Sequence, residues 1–257
     1  MKGFIQWNKG AALFTLLVML VGTIGYFAYG KDAMASVDAS AVFSGARYKV
    51  AYSEDGAMKV FALANESALL KLKVSEGNTV PKKKSMVLGF REAQVMKDED
   101  LFYRVGDRID DFFGTQIIVG GIFEKTGTIV DDFHFLGPEK FSEIKGEENR
   151  VFVKMKGSTP KLFYWLPIGV EPPKKFELAQ GSLDSYAVKE LGGRTYYPLV
   201  IGSEEAKMMK EEKLFSSPGD LIHGFFGKDV FVAGVLKETK TAMDMMHFMP
   251  LREDEVG

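Results

Sequence analysis

There is no cysteine in the 257 residues. That excludes disulfides, thiolate metal sites and cysteine nucleophiles together. Histidine is scarce, with only His134, His223 and His247, so imidazole chemistry is confined to three positions. An excess of positive charge is missing as well. The formal net charge is −2, which removes the electrostatic footprint of a nucleic-acid binder. No phosphate loop, nucleophile elbow, zinc-protease helix or dinucleotide fingerprint occurs. The remainder is ordinary for a folded chain, 46% hydrophobic and 26% charged, and long enough for one large domain or two small ones.

What is present is a duplication. Residues 86–136 align without a gap onto residues 199–249, 113 positions further on, with 22 of 51 pairs identical. Gly106-Asp107…Phe112-Phe113-Gly114 matches Gly219-Asp220…Phe225-Phe226-Gly227, and Asp131-Asp132-Phe133-His134-Phe135 matches Asp244-Met245-Met246-His247-Phe248. Further upstream, Phe61-Ala62-Leu63-Ala64 resembles Phe176-Glu177-Leu178-Ala179.

The N-terminus is different in kind. Gly10 to Gly30 carries no charge, and a helix of that length spans about 31 Å, the thickness of bilayer hydrocarbon. Trp7, Tyr26, Phe27 and Tyr29 flank it as interfacial rings do. Lys2 and Lys9 precede it, so the positive-inside bias puts the N-terminus in the cytoplasm and the bulk of the chain outside the cell membrane. A cleaved signal peptide is the other reading, since Ala33-Met34-Ala35 has the small-x-small form of a cleavage site.

The resulting plan is a cytoplasmic N-terminus (1–9), a transmembrane anchor in lipid (10–30) and a small polar stalk (31–46). Repeat unit 1 (47–136), a charged linker (137–150), repeat unit 2 (151–251) and a tail (252–257) follow. Residues 161–175, with Pro167, Pro172 and Pro173, read as an insertion peculiar to unit 2. Each unit mixes signals. Tyr48–Tyr52 and Val151–Met155 alternate as half-buried strands do, and Ser85–Gly89 and Pro198–Gly202 are short apolar runs ended by glycine. Helix formers follow at 91–97 and 204–210 with Ser203 a candidate N-cap, then long strands at 116–123 and 229–236 interrupted at Gly121 and Gly234. The expected fold class is α+β: a transmembrane helix, then two tandem α+β units forming a pseudo-twofold extracytoplasmic body.

The run Pro198-Leu199-Val200-Ile201-Gly202-Ser203-Glu204-Glu205-Ala206…Pro218-Gly219-Asp220…Val232-Ala233-Gly234-Val235-Leu236…Asp244…Met249-Pro250-Leu251 resembles the extracytoplasmic domain of ABC permeases of the macrolide-exporter and lipoprotein-release type. The likeness covers residues 176–251 and, more weakly, 61–136. It implies an α+β domain that couples mechanically to partners outside the membrane. The chain has one apolar span where those permeases have four and carries the unit twice, so the likeness implies no transport activity.

Candidate chemistry is sparse. His134 and His247 occupy equivalent places, and Met243, Met245, Met246 and Met249 surround the second. Thioether with imidazole suits copper or an axial haem bond, although the first copy lacks the methionines. The alternative is that Asp131/Asp244 and His134/His247 make a local hydrogen-bonded turn and the methionines fill a core. Asp107 and Asp220 follow glycine in matched turns, where an aspartate bonds its own backbone; an acid–base pair is the alternative. Phe112-Phe113 and Phe225-Phe226 are core residues or apolar contacts for a partner. Asp110-Asp111 faces His223-Gly224 in the alignment, so the copies would not bind alike. Arg91-Glu92 reads as a solvated helix face and Lys82-Lys83-Lys84 as a solvated basic loop, with contact to anionic lipid headgroups near the anchor as the alternative. The functional expectation is a non-catalytic accessory subunit without a cofactor or metal, docking on a protein partner through Asp110, Asp111, Phe112, Phe113, His223, Phe225 and Phe226. The alternative is a copper or haem protein using His134, His247, Met245, Met246 and Met249.

Overall fold

Short segments rich in valine, isoleucine and phenylalanine favour extended backbone that must find partners far along the chain. The computed structural model describes residues 39–251, apart from 55, 158, 169 and 171–175. Of the described residues 44% are strand and 21% helix. The fold is thus mainly β, a correction to the α+β expectation. The longest helices, Phe90–Asp98 and Ser203–Glu211, have nine residues each, whereas most apolar runs join sheets.

Unit 1 contains α1 (Ala39–Phe43), β1 (Arg47–Tyr52), β2 (Met58–Leu63), α2 (Glu66–Leu69), β3 (Val74–Gly77) and β4 (Ser85–Leu88). It continues with α3 (Phe90–Asp98), β5 (Arg108–Phe112), β6 (Thr115–Phe123), β7 (Phe133–Leu136), α4 (Pro138–Glu143) and β8 (Glu147–Glu148). Unit 2 contains β9 (Val151–Lys156), β10 (Thr159–Pro167), β11 (Leu178–Gly181), β12 (Lys189–Leu191) and β13 (Arg194–Ile201). It ends with α5 (Ser203–Glu211), β14 (Leu221–Phe225), β15 (Lys228–Leu236) and β16 (Met246–Leu251). The first sheet runs β3-β6-β4-β7-β2-β1-β8 with β5 on β6, and the second β11-β15-β13-β16-β10-β9 with β14 on β15 and β12 on β13. In both, the second strand lies parallel to the last, as β2 to β7 and β10 to β16.

The register fixes which residues correspond. Phe61 pairs with His134 and Phe163 with His247, so β2 corresponds to β10. Gly77 pairs with Gly121 and Gly181 with Gly234, so β3 corresponds to β11. The alignment of Phe61 with Phe176 is therefore displaced by a strand. Residues 161–167 are a core strand rather than inserted loop. The extra residues of unit 2 lie after β11, where they form a 3-10 turn (Leu183–Ser185) and β12. Two further expectations are corrected. Ala39, Val42 and Phe43 of the supposed stalk are buried on α1, and Phe141 of the supposed linker is fully buried on α4. Alanine, valine and phenylalanine outweigh their polar neighbours once a helix turns them to one side.

The single-pass architecture is corrected too. Among the described residues no helix is long and apolar enough to cross a membrane. Nine residues rise only about 14 Å. The span expected at 10–30, on which the expected cell-membrane localisation rests, and the tail 252–257 lie outside the described residues.

Residues 39–251 form one body. The 3-10 turn Ile129–Asp132 of unit 1 touches β10, its counterpart Ala242–Met245 touches β2, and the two turns touch each other. Each core is separate. In unit 1, Phe61, Met86, Leu88, Met96, Ile117, Val119 and Phe141 meet under α3, and in unit 2 Phe163, Leu199, Ile201, Met209, Val232 and Met249 do so under α5.

Both long helices start at a glycine, Gly89 and Gly202, with no side-chain cap. The reason is space. A Cβ on Gly89 would overlap the Val130 carbonyl and the Asp131 backbone, and one on Gly202 the Met243 carbonyl and Asp244 backbone. Ser203 is the first helical residue, not the cap. Because the obstacle is backbone, Gly89→Ala and Gly202→Ala should each lower stability by about 2 kcal/mol or more. Gly137→Ala, with only the Pro81 carbonyl at 3.8 Å, should change little. Urea unfolding midpoints of the three variants check this.

Candidate functional site

The fold brings three distant side chains together in each unit. In unit 1 these are Lys59 on β2, Glu92 on α3 and His134 on β7. Lys59 Nζ lies 2.9 Å from Glu92 Oε1, and His134 Nε2 lies 3.3 Å from the same oxygen. In unit 2, Lys161 Nζ lies 2.6 Å from Glu205 Oε1 and His247 Nε2 3.4 Å from it. All six are buried. Phe61 and Phe112 flank the first imidazole at 4.7 and 5.5 Å between ring centres, and Phe163 and Phe225 flank the second at 4.8 and 5.2 Å.

The proton count follows from this geometry. A carbonyl oxygen can only accept, so each Nδ1, 3.2 Å from the Val60 or Leu162 carbonyl oxygen, donates to it. Nε2 then faces a carboxyl oxygen at 3.3 or 3.4 Å, a contact that a proton on either group makes favourable. In unit 1 burial pushes Glu92 up to about 7 against the pull of Lys59, and burial followed by the Lys59 charge holds His134 down to about 3. The proton sits on Glu92. In unit 2 burial also pushes Glu205 up, but the His247 hydrogen bond and the His247 and Lys161 charges outweigh it, so Glu205 lies below the usual carboxylate range.

Burial is the largest cause at both carboxyls, and the His247 interactions reverse its effect only in unit 2. A smaller difference lies outside the trio: Lys59 has a second partner, Glu99 Oε2 at 3.1 Å, whose charge adds to the rise of Glu92. The counterpart Glu212 turns away to Lys156 at 3.0 Å, leaving Lys161 to Glu205.

Beside the first network lies a cleft of about 630 Å3. Ile109, Phe112 and Phe113 form part of its lining, and Lys59 and Glu99 reach it from the network. Five carboxylates border it, Glu54, Glu99, Asp110, Asp111 and Glu147, against two lysines, Lys59 and Lys145. Its apolar residues recur in unit 2 as Ile222, Phe225 and Phe226, but its rim does not. Asp110-Asp111 becomes His223-Gly224, and Ala51 corresponds by register to Lys154, since Lys59 pairs with Ala51 and Lys161 with Lys154.

The residues singled out from the sequence divide accordingly. His134 and His247 are each enclosed in their own unit with both ring nitrogens facing protein atoms. Met245, Met246 and Met249 are buried, and among the described residues no group of three His, Asp or Glu is placed to hold a metal. Asp131 and Asp244 do knot local turns, accepting from Thr126 and Gly127 and from Thr239 and Lys240, but the histidines bond elsewhere. Asp107 accepts from the Tyr103 and Arg104 backbone and Asp220 from Ser216 and Ser217. Those backbone bonds hold both below the usual carboxylate range, as turn-forming aspartates. Phe112 and Phe225 are buried, Phe113 and Phe226 half-buried; Phe112 and Phe113 pack edge-on against Phe61 and Phe226 edge-on against Phe163, with Phe225 tilted against Phe163. Asp110, Asp111 and His223 are exposed.

The glutamates were missed. Glu92 reads as solvated from its neighbours, yet it is identical to Glu205 in the repeat whereas Arg91 and Glu204 differ. Identity at a charged helical position was the available signal. Comparison with protein families, curated proteins and solved structures finds no match to this chain.

The proton on Glu92 gives unit 1 a defined pH dependence. In the unfolded chain glutamate titrates at 4.5 and histidine at 6.5. Between those values the unfolded pair also holds one proton, on the imidazole, and folding merely moves it. Above 6.5 the unfolded histidine releases it while the folded pair retains it to about 7, so stability falls as pH rises through that range. Below 4.5 the unfolded chain takes up a second proton, and stability falls again as pH drops. In Glu92→Gln an amide N–H replaces the acid O–H towards His134. The drop in urea midpoint between pH about 6 and about 8 should shrink in this variant; an equal drop in both proteins would place the proton elsewhere.

Proposed function

We propose that this chain is a non-catalytic accessory module that docks on a protein partner through the cleft of unit 1. The observation that supports it is the way the two copies differ. Their buried Lys-Glu-His networks and apolar cleft residues are the same, while the rim around the cleft is replaced. Shared residues serve the fold, so the differences mark where one copy has a task the other lacks. The volume is within the range of about 300–1,000 Å3 over which proteins hold bound groups.

The partner's chemistry follows from the lining. Carboxylates outnumber lysines, and Lys59 is already committed to Glu92 and Glu99. Asp111 carries no ion pair among the described residues and is held at φ 54°, a backbone region aspartate tolerates better than most residues. A segment bearing lysine or arginine on an apolar stem satisfies this rim and covers Leu101 at its edge.

The test is a native pull-down with crosslinking, using three proteins. Leu101→Ser with Asp111→Asn alters the cleft while keeping a residue suited to positive φ. Leu221→Ser alters a comparably exposed leucine of unit 2. Capture by the parent and the Leu221 variant, reduced about tenfold for the cleft variant, is the expected result. Equal capture by all three, or capture by none, would overturn the reading.

A further inference from the structure

A second groove, of about 430 Å3, lies along β6 and the loop before β4. Its apolar lining includes Val105, Ile118 and Val119, and its only charged residues are Lys82, Lys83 and Lys84. These lysines are the basic loop that reads from sequence as merely solvated. Lys82 and Lys84 form no ion pair among the described residues, and Lys83 reaches only Glu139, at 3.6 Å and well exposed.

The loop is firmly held. Ser85 Oγ accepts the Lys82 N–H at 2.8 Å, and the Lys82 carbonyl accepts from the Lys84 and Ser85 amides at 2.9 Å. The Ile118 amide donates to the Lys84 carbonyl at 3.0 Å and pins the turn to β6. Three lysines thus line an apolar hollow on a fixed backbone, with Lys83 reaching Glu139 and the Lys84 charge felt by Glu143. Three positive charges on so short a loop attract an anion into the hollow.

Unit 2 shows that the fold itself does not require this arrangement. Lys83 and Lys84 correspond to Tyr196 and Tyr197, and Ile118 to Phe231. Tyr196 and Phe231 are buried, and Tyr196 and Thr195 pair with β12 in a hairpin that unit 1 lacks. Unit 2 closes this side with aromatic residues and an added strand, whereas unit 1 leaves it open and cationic.

We propose that the Lys82–Lys84 groove binds a small phosphate monoester with an apolar body, the phosphate against the lysine loop and the body against Val105 and Ile118. A dianion suits three point charges better than a carboxylate does. The proposal is independent of the cleft that serves the partner.

Phenyl phosphate, inorganic phosphate and benzyl alcohol would each be titrated into the full chain, followed by the amide signals of Gly106 and Gly120 and the methyl signals of Val105 and Ile118. Phenyl phosphate should give saturable shifts at these positions at millimolar concentration or below. Replacing the three lysines, Lys82→Gln, Lys83→Gln and Lys84→Gln, should weaken it by at least about tenfold, the effect of losing several solvent-screened charge pairs. The exposed positions keep the variant folded, which circular dichroism verifies. Shifts unaffected by the triple replacement, absent up to about 10 mM, or spread over both units would overturn the proposal. Inorganic phosphate binding as tightly as phenyl phosphate would overturn the apolar part, and benzyl alcohol doing so would overturn the anionic part.

Discussion

A lysine, a glutamate and a histidine in contact in the middle of an apolar core are the constraint on which each unit turns. The second strand supplies the lysine, the long helix the glutamate and the last strand the histidine. Misplacing any of the three leaves a charge or a polar atom buried without a partner, at a cost of several kcal/mol. Such networks add little net stability over well-packed apolar residues. What this one adds is specification. It ties the parallel pair β2–β7, or β10–β16, to the helix above it, a join that hydrophobic packing alone would permit in several registers. The glycine at each helix start serves the same join from the other side, letting the helix approach the 3-10 turn that precedes the last strand.

The duplicated network also shows how a fold element becomes sensitive to its surroundings. The lysine, glutamate and histidine are the same in both units and in nearly the same geometry. The two carboxyls are shifted in opposite directions all the same. Burial is the largest cause at both, and at Glu205 the His247 and Lys161 interactions outweigh it. A further difference lies outside the trio, where Glu99 faces Lys59 and adds to the rise of Glu92, whereas Glu212 faces Lys156.

The local elements were largely legible in the sequence. The helices expected at 91–97 and 204–210 are α3 and α5, the apolar runs before them are β4 and β13, and the long strands with a glycine interruption are β6 and β15. The ladder shifts there, with Met86 opposite Val119 but Val87 opposite Gly121. These features depend on near neighbours and on periodicity, which a single sequence records. The strand character of the rest was not legible, because β3, β5, β11 and β14 have five residues or fewer and acquire their state from partners far along the chain. The correspondence of β2 with β10 was hidden for a related reason. Only Lys59 and Phe61 survive in Lys161 and Phe163 from that strand, too few identities to align without knowing that both strands lie beside a histidine strand.

Glu99 joins the two parts of unit 1 that seem separate. It lies at the mouth of the cleft, half in solvent, while the lysine it holds is almost wholly buried. An ion pair at such an edge is weak when solvent screens it. Here its inner member is the only cation beside Glu92, so the pair fixes the charge of the core as well as the rim. A cationic group entering the cleft competes with Lys59 for Glu99. Lys59 cannot follow it outwards, because β2 holds it under the sheet, and its remaining anionic partner within reach is Glu92. A cation in the cleft would thus act on Glu92 through the buried Lys59 ammonium. Unit 2, where Lys156 rather than Lys161 holds the corresponding glutamate, has the same network without that connection.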